Sequence, residues 1–143
     1  MLSLTCKTAI KAVIYLSSKS ENGEKSNIKD ISDRINASEH TVGKILQQLA
    51  RKKIINSLKG PTGGFYLDEK QQEQAIIHIV EAIEGDHIFK ECGLGLRKCS
   101  AAHPCPIHDE YKIARELIEK MFNKQKVRDL CQSVTKGLAY LID

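Results

Sequence analysis

Residues 28–51, with the sequence IKDISDRINASEHTVGKILQQLAR, contain two short helical patterns joined by a polar turn. Apolar residues recur three or four positions apart on both sides of the turn, which is the spacing of one helical face. They are Ile28, Ile31 and Ile35 before the turn and Val42, Ile45, Leu46 and Leu49 after it. Ser38 is a suitable N-cap for the second helix, and Glu39 suits the positive end of its dipole. The segment therefore predicts a helix-turn-helix.

The flanking sequence extends this motif into a winged helix. Residues 59–64, KGPTGG, are rich in turn-forming residues and lie between two strand-like pieces, which predicts a two-stranded wing. Further helices are predicted over residues 4–18 and 72–84. A long helix with an apolar stripe begins at His108, and residues 127–143 allow one more. We expect a mostly α fold with a small β-wing, in which a winged helix-turn-helix domain is followed by a long dimerisation helix.

The composition is that of a globular protein, and the distribution of charge along the chain favours an anionic partner. The chain has 143 residues, of which 41% are hydrophobic, and no apolar run approaches the roughly 20 residues of a membrane span. Lys7 and Lys11 interrupt the apolar N-terminal stretch and argue against a secretory signal, so we expect a cytoplasmic protein without membrane contact. Residues 1–70 hold 12 Lys and Arg against 7 Asp and Glu, whereas residues 71–143 hold 10 against 11. The first half therefore suits nucleic acid.

The second helix of the motif carries side chains that suit DNA. A recognition helix needs short polar side chains near its start to reach base edges, and cations to hold phosphates. The residues predicted to lie near the bases are His40, Thr41 and Lys44. Those predicted to lie near the phosphates are Gln47, Arg51, Lys52 and Lys53. Lys59, at the tip of the wing, is predicted to enter an adjacent minor groove. Winged helices also serve as protein-interaction modules, so a scaffold with a protein partner is an alternative.

Three of the five cysteines lie in an irregular segment before the long helix. Residues 92–108, CGLGLRKCSAAHPCPIH, place Cys92, Cys99, Cys105 and His108 within seventeen positions. In a reducing compartment such clustering indicates metal binding or redox chemistry rather than a disulfide framework. The gaps are wider than those of a usual zinc knuckle and suit a backbone that wraps an iron-sulfur cluster, either 2Fe-2S or 4Fe-4S.

Zinc and a disulfide switch are the alternatives for this segment, because three cysteines and a histidine are a valid zinc ligand set and thiols exchange with disulfides. His103 is a less favoured ligand. Cys6 and Cys131 fall on helical faces, where a buried and inert thiol is the usual explanation. An enzyme is not indicated, because the sequence has no CxxC beside a strand-helix unit, no nucleophile with an orienting His and no nucleotide fingerprint.

Together these segments resemble a bacterial family of iron-sulfur winged-helix transcription regulators that includes IscR, NsrR and CymR. The resemblance runs nearly end to end, and the wing and the cysteine segment are its most specific parts. The segments that resemble the family are KTAIKAVIYLS at 7–17, the helix-turn-helix at 28–55, KGPTGGFYL at 59–67, AIIHIVEAIEG at 75–85 and the three-cysteine segment.

The resemblance implies a homodimer that binds a pseudo-palindromic double-stranded DNA operator, with the two long helices crossing at the interface. The apolar stripe would then form that interface through Tyr111, Ala114, Leu117, Ile118, Met121 and Phe122. It also implies that Cys92, Cys99 and Cys105 hold the cluster and that His108 completes a 2Fe-2S site, as in the cluster-biogenesis branch.

The chain departs from the family pattern at two places. The nitric-oxide branch takes a fourth ligand from an acid in the first helix of the partner subunit, whereas this chain has Cys6, Lys7 and Thr8 there. The absence of an acid favours His108 and leaves Cys6 reaching across the dimer as an alternative. Gly43 stands where the cluster-biogenesis regulator has a glutamate in its recognition helix, so the operator of that relative is not carried over.

We therefore predict three parts: a winged helix-turn-helix DNA-binding domain at 1–85, a cysteine-rich cluster-binding loop at 86–108, and a dimerisation helix with a C-terminal helix at 109–143. The predicted function is a DNA-binding transcription regulator, with a repressor favoured, that senses iron-sulfur status, redox state or nitric oxide through a bound cluster. A clusterless thiol-redox or zinc-binding regulator is the alternative.

Overall fold

The computed structural model describes residues 2–143. Over these residues the chain forms seven α-helices, one short 3-10 helix and one two-stranded sheet. In chain order the elements are α1 Leu4–Ser20, α2 Ile28–Ile35, α3 Glu39–Arg51, β1 Asn56–Leu58, β2 Gly64–Tyr66, α4 Glu69–Gln72, α5 Ile76–Glu84, the 3-10 helix Asp86–Phe89, α6 His108–Lys124 and α7 Val127–Thr135. Every helix in this range falls short of the length and apolar character that a bilayer span needs. The predicted mostly α fold with a small β-wing is confirmed.

The helix-turn-helix consists of α2 and α3, and side-chain caps set the limits of both helices. The Asn27 side chain accepts a hydrogen bond from the Asp30 N–H, and the Ser38 hydroxyl accepts one from the Thr41 N–H. α2 ends where Asn36 enters the left-handed region at φ 54°, a conformation that Asn tolerates better than most residues. The cap predicted at Ser38 is confirmed.

The wing is the antiparallel β1–β2 hairpin, whose register pairs Ser57 with Phe65. A third segment joins it, because Ser26 exchanges two backbone hydrogen bonds with Phe65, at 3.0 and 2.8 Å. Gly63 is required at the end of the turn, since a Cβ there would lie 2.0 Å from the Leu58 carbonyl oxygen. The wing is thereby anchored to the segment that leads into α2.

The α1 helix lies at the centre of the core, in contact with α2, α3, α5, α7 and β2. Its side chains at Ala9, Ala12, Val13 and Leu16 have no solvent exposure. The two alanines let neighbouring helices approach closely, and apolar side chains of α2, α3, α5 and α7 complete the core. The orientation of α3 is therefore set by packing against this central helix.

The helix predicted over residues 72–84 begins later than its apolar pattern indicates. A separate short helix, α4, is closed by its own capping box, and α5 starts only at Ile76. Between the two, the backbone pairs with the segment that follows α6. The Ile76 N–H donates to the Gln125 carbonyl at 2.8 Å, and the Val127 N–H donates to the Gln74 carbonyl at 3.0 Å. These long-range bonds interrupt the predicted helix.

The long α6 helix begins at His108, and part of its apolar stripe packs within the same chain. Phe122 is 8% exposed and meets Phe89 edge to face, with ring centroids 6.1 Å apart. Ile118 also packs against this core. Because the 3-10 helix contacts α6 and supplies Phe89, Phe122 is a core residue of its own chain and does not belong to the exposed face predicted for a dimer.

We expect Phe122→Ala to lower the free energy of unfolding by about 3 kcal/mol, because it leaves a cavity beside Phe89. Urea denaturation followed by circular dichroism measures the change. Asn123→Ala, at an exposed neighbouring position, is the control and should change this free energy by less than about 0.5 kcal/mol. Unchanged stability of Phe122→Ala, together with loss of self-association, would instead place this ring between subunits.

Candidate functional site

The exposed face of α3 carries most of the residues predicted to contact DNA. Val42, Ile45, Leu46 and Leu49 on its other face are buried in the core. Five predicted DNA contacts on α3 are exposed to solvent: His40, Thr41, Lys44, Gln47 and Arg51. Lys59 is exposed in the turn between β1 and β2. The chain therefore presents cations and short polar side chains on both the predicted recognition helix and the wing.

Lys52 and Lys53, both predicted to lie near phosphates, differ in their surroundings. The Lys52 Nζ donates to the Ala82 carbonyl oxygen at 2.7 Å, and the Gln48 Nε2 donates to the same oxygen at 2.9 Å. Lys53 follows α3 at φ 62°, and both lysines are exposed. Lys52 and Gln48 therefore join the end of α3 to the last turn of α5, a connection that the sequence did not predict.

The cysteine segment folds so that its three sulfur atoms converge. The Sγ atoms of Cys92, Cys99 and Cys105 all lie within 4.8 Å of one another, with Cys92 and Cys105 at 3.5 Å. His108 places its Nδ1 3.1 Å from the Cys99 Sγ. Three of the four predicted metal ligands thus converge and the fourth, His108, contacts Cys99, whereas His103 is exposed.

Backbone hydrogen bonds and burial act in opposite directions on two of these thiols. The N–H groups of Leu96 and Leu94 lower the pKa of the Cys92 thiol to about 7, and the Leu94 nitrogen lies 3.4 Å from the sulfur. Burial raises the pKa of the Cys105 thiol. Cys92 is therefore the more readily deprotonated of the pair, and the thiolate is the form that ligates metals.

The donor set fits a metal centre. All five thiols of the chain are free. Three soft sulfur donors lie within 4.8 Å of one another with an imidazole nitrogen beside one of them, and both iron-sulfur clusters and zinc use such donors. Between Lys90 and Ile107 only Cys105 is buried, so the segment gains little stability from apolar packing. A bound group would supply the missing constraint.

Cys6 and Cys131 lie apart from this centre, each with no solvent exposure. Burial, and to a smaller extent the Glu84 carboxylate, raise the pKa of the Cys6 thiol to about 12. A thiol enclosed in the core of its own chain is not accessible to a loop of another subunit. The alternative in which Cys6 reaches across a dimer is therefore not supported.

Two side chains of α6 contact the start of the cysteine segment. The Tyr111 ring lies against Gly93, and the Arg115 guanidinium donates to the Glu91 carbonyl. Sequence reasoning assigned Tyr111 to a dimer face and missed Arg115. The one sequence signal that could have identified Arg115 is the presence of a charged residue inside the apolar stripe of α6.

A narrower apolar face of α6 remains exposed. Ile113, Leu117 and Met121 follow one another at helical spacing and are 55%, 62% and 47% exposed. Leu117 and Met121 were predicted to belong to the dimer interface. Ile113 was not, because the predicted apolar stripe lay slightly further round the helix. Ala114 is exposed beside this face, while Ile118 is half-buried.

Known proteins that resemble the chain are transcription regulators. It is 26% identical over 140 residues to a putative HTH-type transcriptional regulator of Aquifex aeolicus, a match that covers 96% of each chain. It is 33% identical over 95 residues to the HTH-type transcriptional regulator NsrR of Geobacillus kaustophilus, covering 66% of this chain and 59% of that protein. These names describe regulators and not enzymes.

Two solved structures share the fold. CymR (YrzC), the global cysteine regulator of B. subtilis, superimposes with a TM-score of 0.73 at 19% identity, covering 92% of this chain and 96% of that chain. IscR of T. potens gives a TM-score of 0.74 at 15% identity, covering 97% and 91%.

A family model described as Rrf2, iron-dependent transcriptional regulator, matches residues 2–133. The match spans the winged helix, the cysteine segment, α6 and most of α7. The chain therefore belongs to the Rrf2 family of DNA-binding, winged-helix transcriptional regulators.

Proposed function

We propose that this regulator senses iron-sulfur status, redox state or nitric oxide through an iron-sulfur cluster held by Cys92, Cys99, Cys105 and His108, and that it acts as a repressor. The observation that carries the proposal is the convergence of three sulfur atoms within 4.8 Å beside an imidazole nitrogen. A 2Fe-2S cluster is favoured, and a 4Fe-4S cluster is compatible with the same thiolates.

The residues of the chain would hold such a cluster in distinct ways. Cys92 offers a thiolate near neutral pH, because backbone N–H groups lower its pKa to about 7. Cys105 is the buried member of the set. His108 ties the ligand set to the first turn of α6. When bound, the cluster supplies a group that oxidants and nitric oxide modify and that iron shortage removes.

Zinc is a second candidate, and the closeness of the sulfur atoms favours it. A tetrahedral ion with Zn–S bonds of about 2.3 Å holds its sulfur ligands about 3.8 Å apart. That separation is compatible with mutual distances below 4.8 Å. In this case the chain is a clusterless zinc or thiol regulator on the same fold.

We further propose that α3 enters the major groove of DNA, because one of its faces is buried and the other is exposed and polar. His40, Thr41 and Lys44 would face bases. Gln47, Arg51 and Lys53 would contact phosphates, and Lys59 of the wing would enter the minor groove. Lys52 is better explained as a tie between α3 and α5, since its ammonium already donates to the Ala82 carbonyl.

The exposed face of α6 supports a dimer of the kind that reads a pseudo-palindromic operator. Ile113, Leu117 and Met121 form a contiguous apolar surface, and such surfaces mark interaction sites. A two-fold pair places two α3 helices on successive half-sites. We accordingly propose a DNA-binding domain at 1–85, a cluster loop at 86–108 and a dimerisation region at 109–143.

Contacts within the chain connect the cysteine segment with α3. α6 begins at His108 and packs against α5, while the Ala82 carbonyl of α5 accepts hydrogen bonds from Gln48 and Lys52 of α3. A group bound at the cysteine segment changes the affinity for DNA only if the helices can adopt two arrangements and the group binds one arrangement more tightly than the other. We propose that cluster occupancy makes that difference through α6.

Protein purified without oxygen is expected to show the visible absorption of an iron-sulfur cluster and to contain iron and sulfide. Cys99→Ala should lose this absorption and His108→Ala should lose or shift it, because each removes a ligand. His103→Ala, in the same segment, should leave the spectrum unchanged. Metal analysis of the same samples separates the candidates: colourless wild-type protein with one zinc favours zinc, and protein without metal overturns both.

We expect Arg51→Ala to weaken binding to mixed-sequence duplex DNA and to reduce the salt dependence by the equivalent of about one phosphate contact. Fluorescence anisotropy at several salt concentrations measures both effects. Lys29→Ala is the matched control, since this exposed lysine of α2 pairs with Asp33 at 3.0 Å. Equal losses for the two variants would show that α3 is not the DNA-contacting face.

Selection from a pool of random duplexes is expected to enrich a pseudo-palindromic sequence with one form of the protein, either cluster-loaded or cluster-free. The other form should bind the selected duplex at least tenfold more weakly, because coupling between two sites commonly changes affinity by 5- to 150-fold. Mobility shifts without oxygen measure this ratio. Equal affinity of the two forms would exclude the switch while leaving DNA binding intact.

A further inference from the structure

Tyr111 and Arg115 lie one turn apart on α6 and contact the residues on either side of Cys92. The Arg115 guanidinium donates to the Glu91 carbonyl oxygen, and the Tyr111 ring lies against the backbone of Gly93. The guanidinium carbon is also 6.0 Å from the Tyr111 ring centroid, so the two side chains support each other.

The fit between Tyr111 and Gly93 is close. A Cβ added at Gly93 would lie 2.7 Å from the Tyr111 Cδ2 and 2.8 Å from its Cγ. Gly93 is not among the glycines with positive φ, so alanine is compatible with its backbone conformation. The position therefore needs glycine for the room that the tyrosine ring occupies.

We propose that Tyr111 and Arg115 are positioning residues for the metal centre, which fix the backbone on both sides of Cys92 and so hold its sulfur against Cys105. This inference rests on the proposed function, since it concerns the same ligands. It gives Tyr111 a role within its own chain in place of the dimer contact predicted from the stripe.

The arrangement also explains how the segment is joined to α6. His108 lies in the first turn of this helix, and Tyr111 and Arg115 follow it three and seven positions later. One helix thus supplies a ligand directly and holds the backbone around a second ligand. These two side chains thus join the Glu91–Gly93 backbone to α6.

Titration of the reduced, metal-free full chain with Co²⁺, without oxygen, tests the proposal, because thiolate-bound Co²⁺ has a characteristic absorption. Gly93→Ala, Tyr111→Ala and Arg115→Gln are each expected to weaken Co²⁺ binding by about tenfold or more, as is typical when the supports of a ligand are removed. Arg97→Gln, which removes a charge from an exposed position in the segment, should bind like wild type.

The double variant Gly93→Ala/Tyr111→Ala separates positioning from general damage. Without the ring there is room for the Cβ, so the double variant should bind Co²⁺ no more weakly than Tyr111→Ala alone. Unfolding midpoints and the molecular mass of the assembly in solution are measured in parallel. Gly93→Ala should have the same oligomeric state as the wild type.

Wild-type affinity in Gly93→Ala and Arg115→Gln would overturn the positioning role while leaving the metal centre in place. Additive losses in the double variant would likewise refute direct contact between ring and backbone. If the wild-type chain itself fails to bind Co²⁺, the proposed metal centre fails, and this outcome is distinct from both of the others.

Discussion

Hydrophobic burial of α1 is the interaction on which the rest of the molecule depends, because α2, α3, α5 and α7 all pack against this helix. Ala9, Ala12, Val13 and Leu16 are completely withdrawn from water. The alanines keep the neighbouring backbones close, so that apolar faces too short to be stable as isolated helices become part of one core. α3 is held in a single orientation as a result, with its polar face outward.

The cysteine segment depends on a different set of interactions. It lies beside the core, with Cys105 as its one buried residue between Lys90 and Ile107. Thiol and imidazole groups face one another inside it, and two side chains of α6 contact its first part. The segment from Lys90 to Ile107 therefore contributes no side chain to the hydrophobic core.

α5 occupies the position between these two regions. It packs against α1, α3 and α6, and its Ala82 carbonyl accepts two side-chain hydrogen bonds from the end of α3. The Lys52 ammonium therefore ties α3 to α5, although the residue is exposed and its sequence position, in a run of three cations, resembles that of a phosphate contact. Lys44 and Arg51, which are exposed on the outer face of α3, remain the better candidates for contact with DNA.

Signals that act over a few residues were sufficient to predict much of this protein. Helical spacing, the Ser38 cap and the glycines of the turn identified the helix-turn-helix and the wing, because capping and turn formation are local. The spacing of Cys92, Cys99 and Cys105 also identified the thiols that converge, since they share one short segment. The contacts of Phe122, Lys52 and Tyr111 were not accessible in this way. Each contact is made with a partner more than ten positions away in the sequence, and only packing of the folded chain brings these partners together.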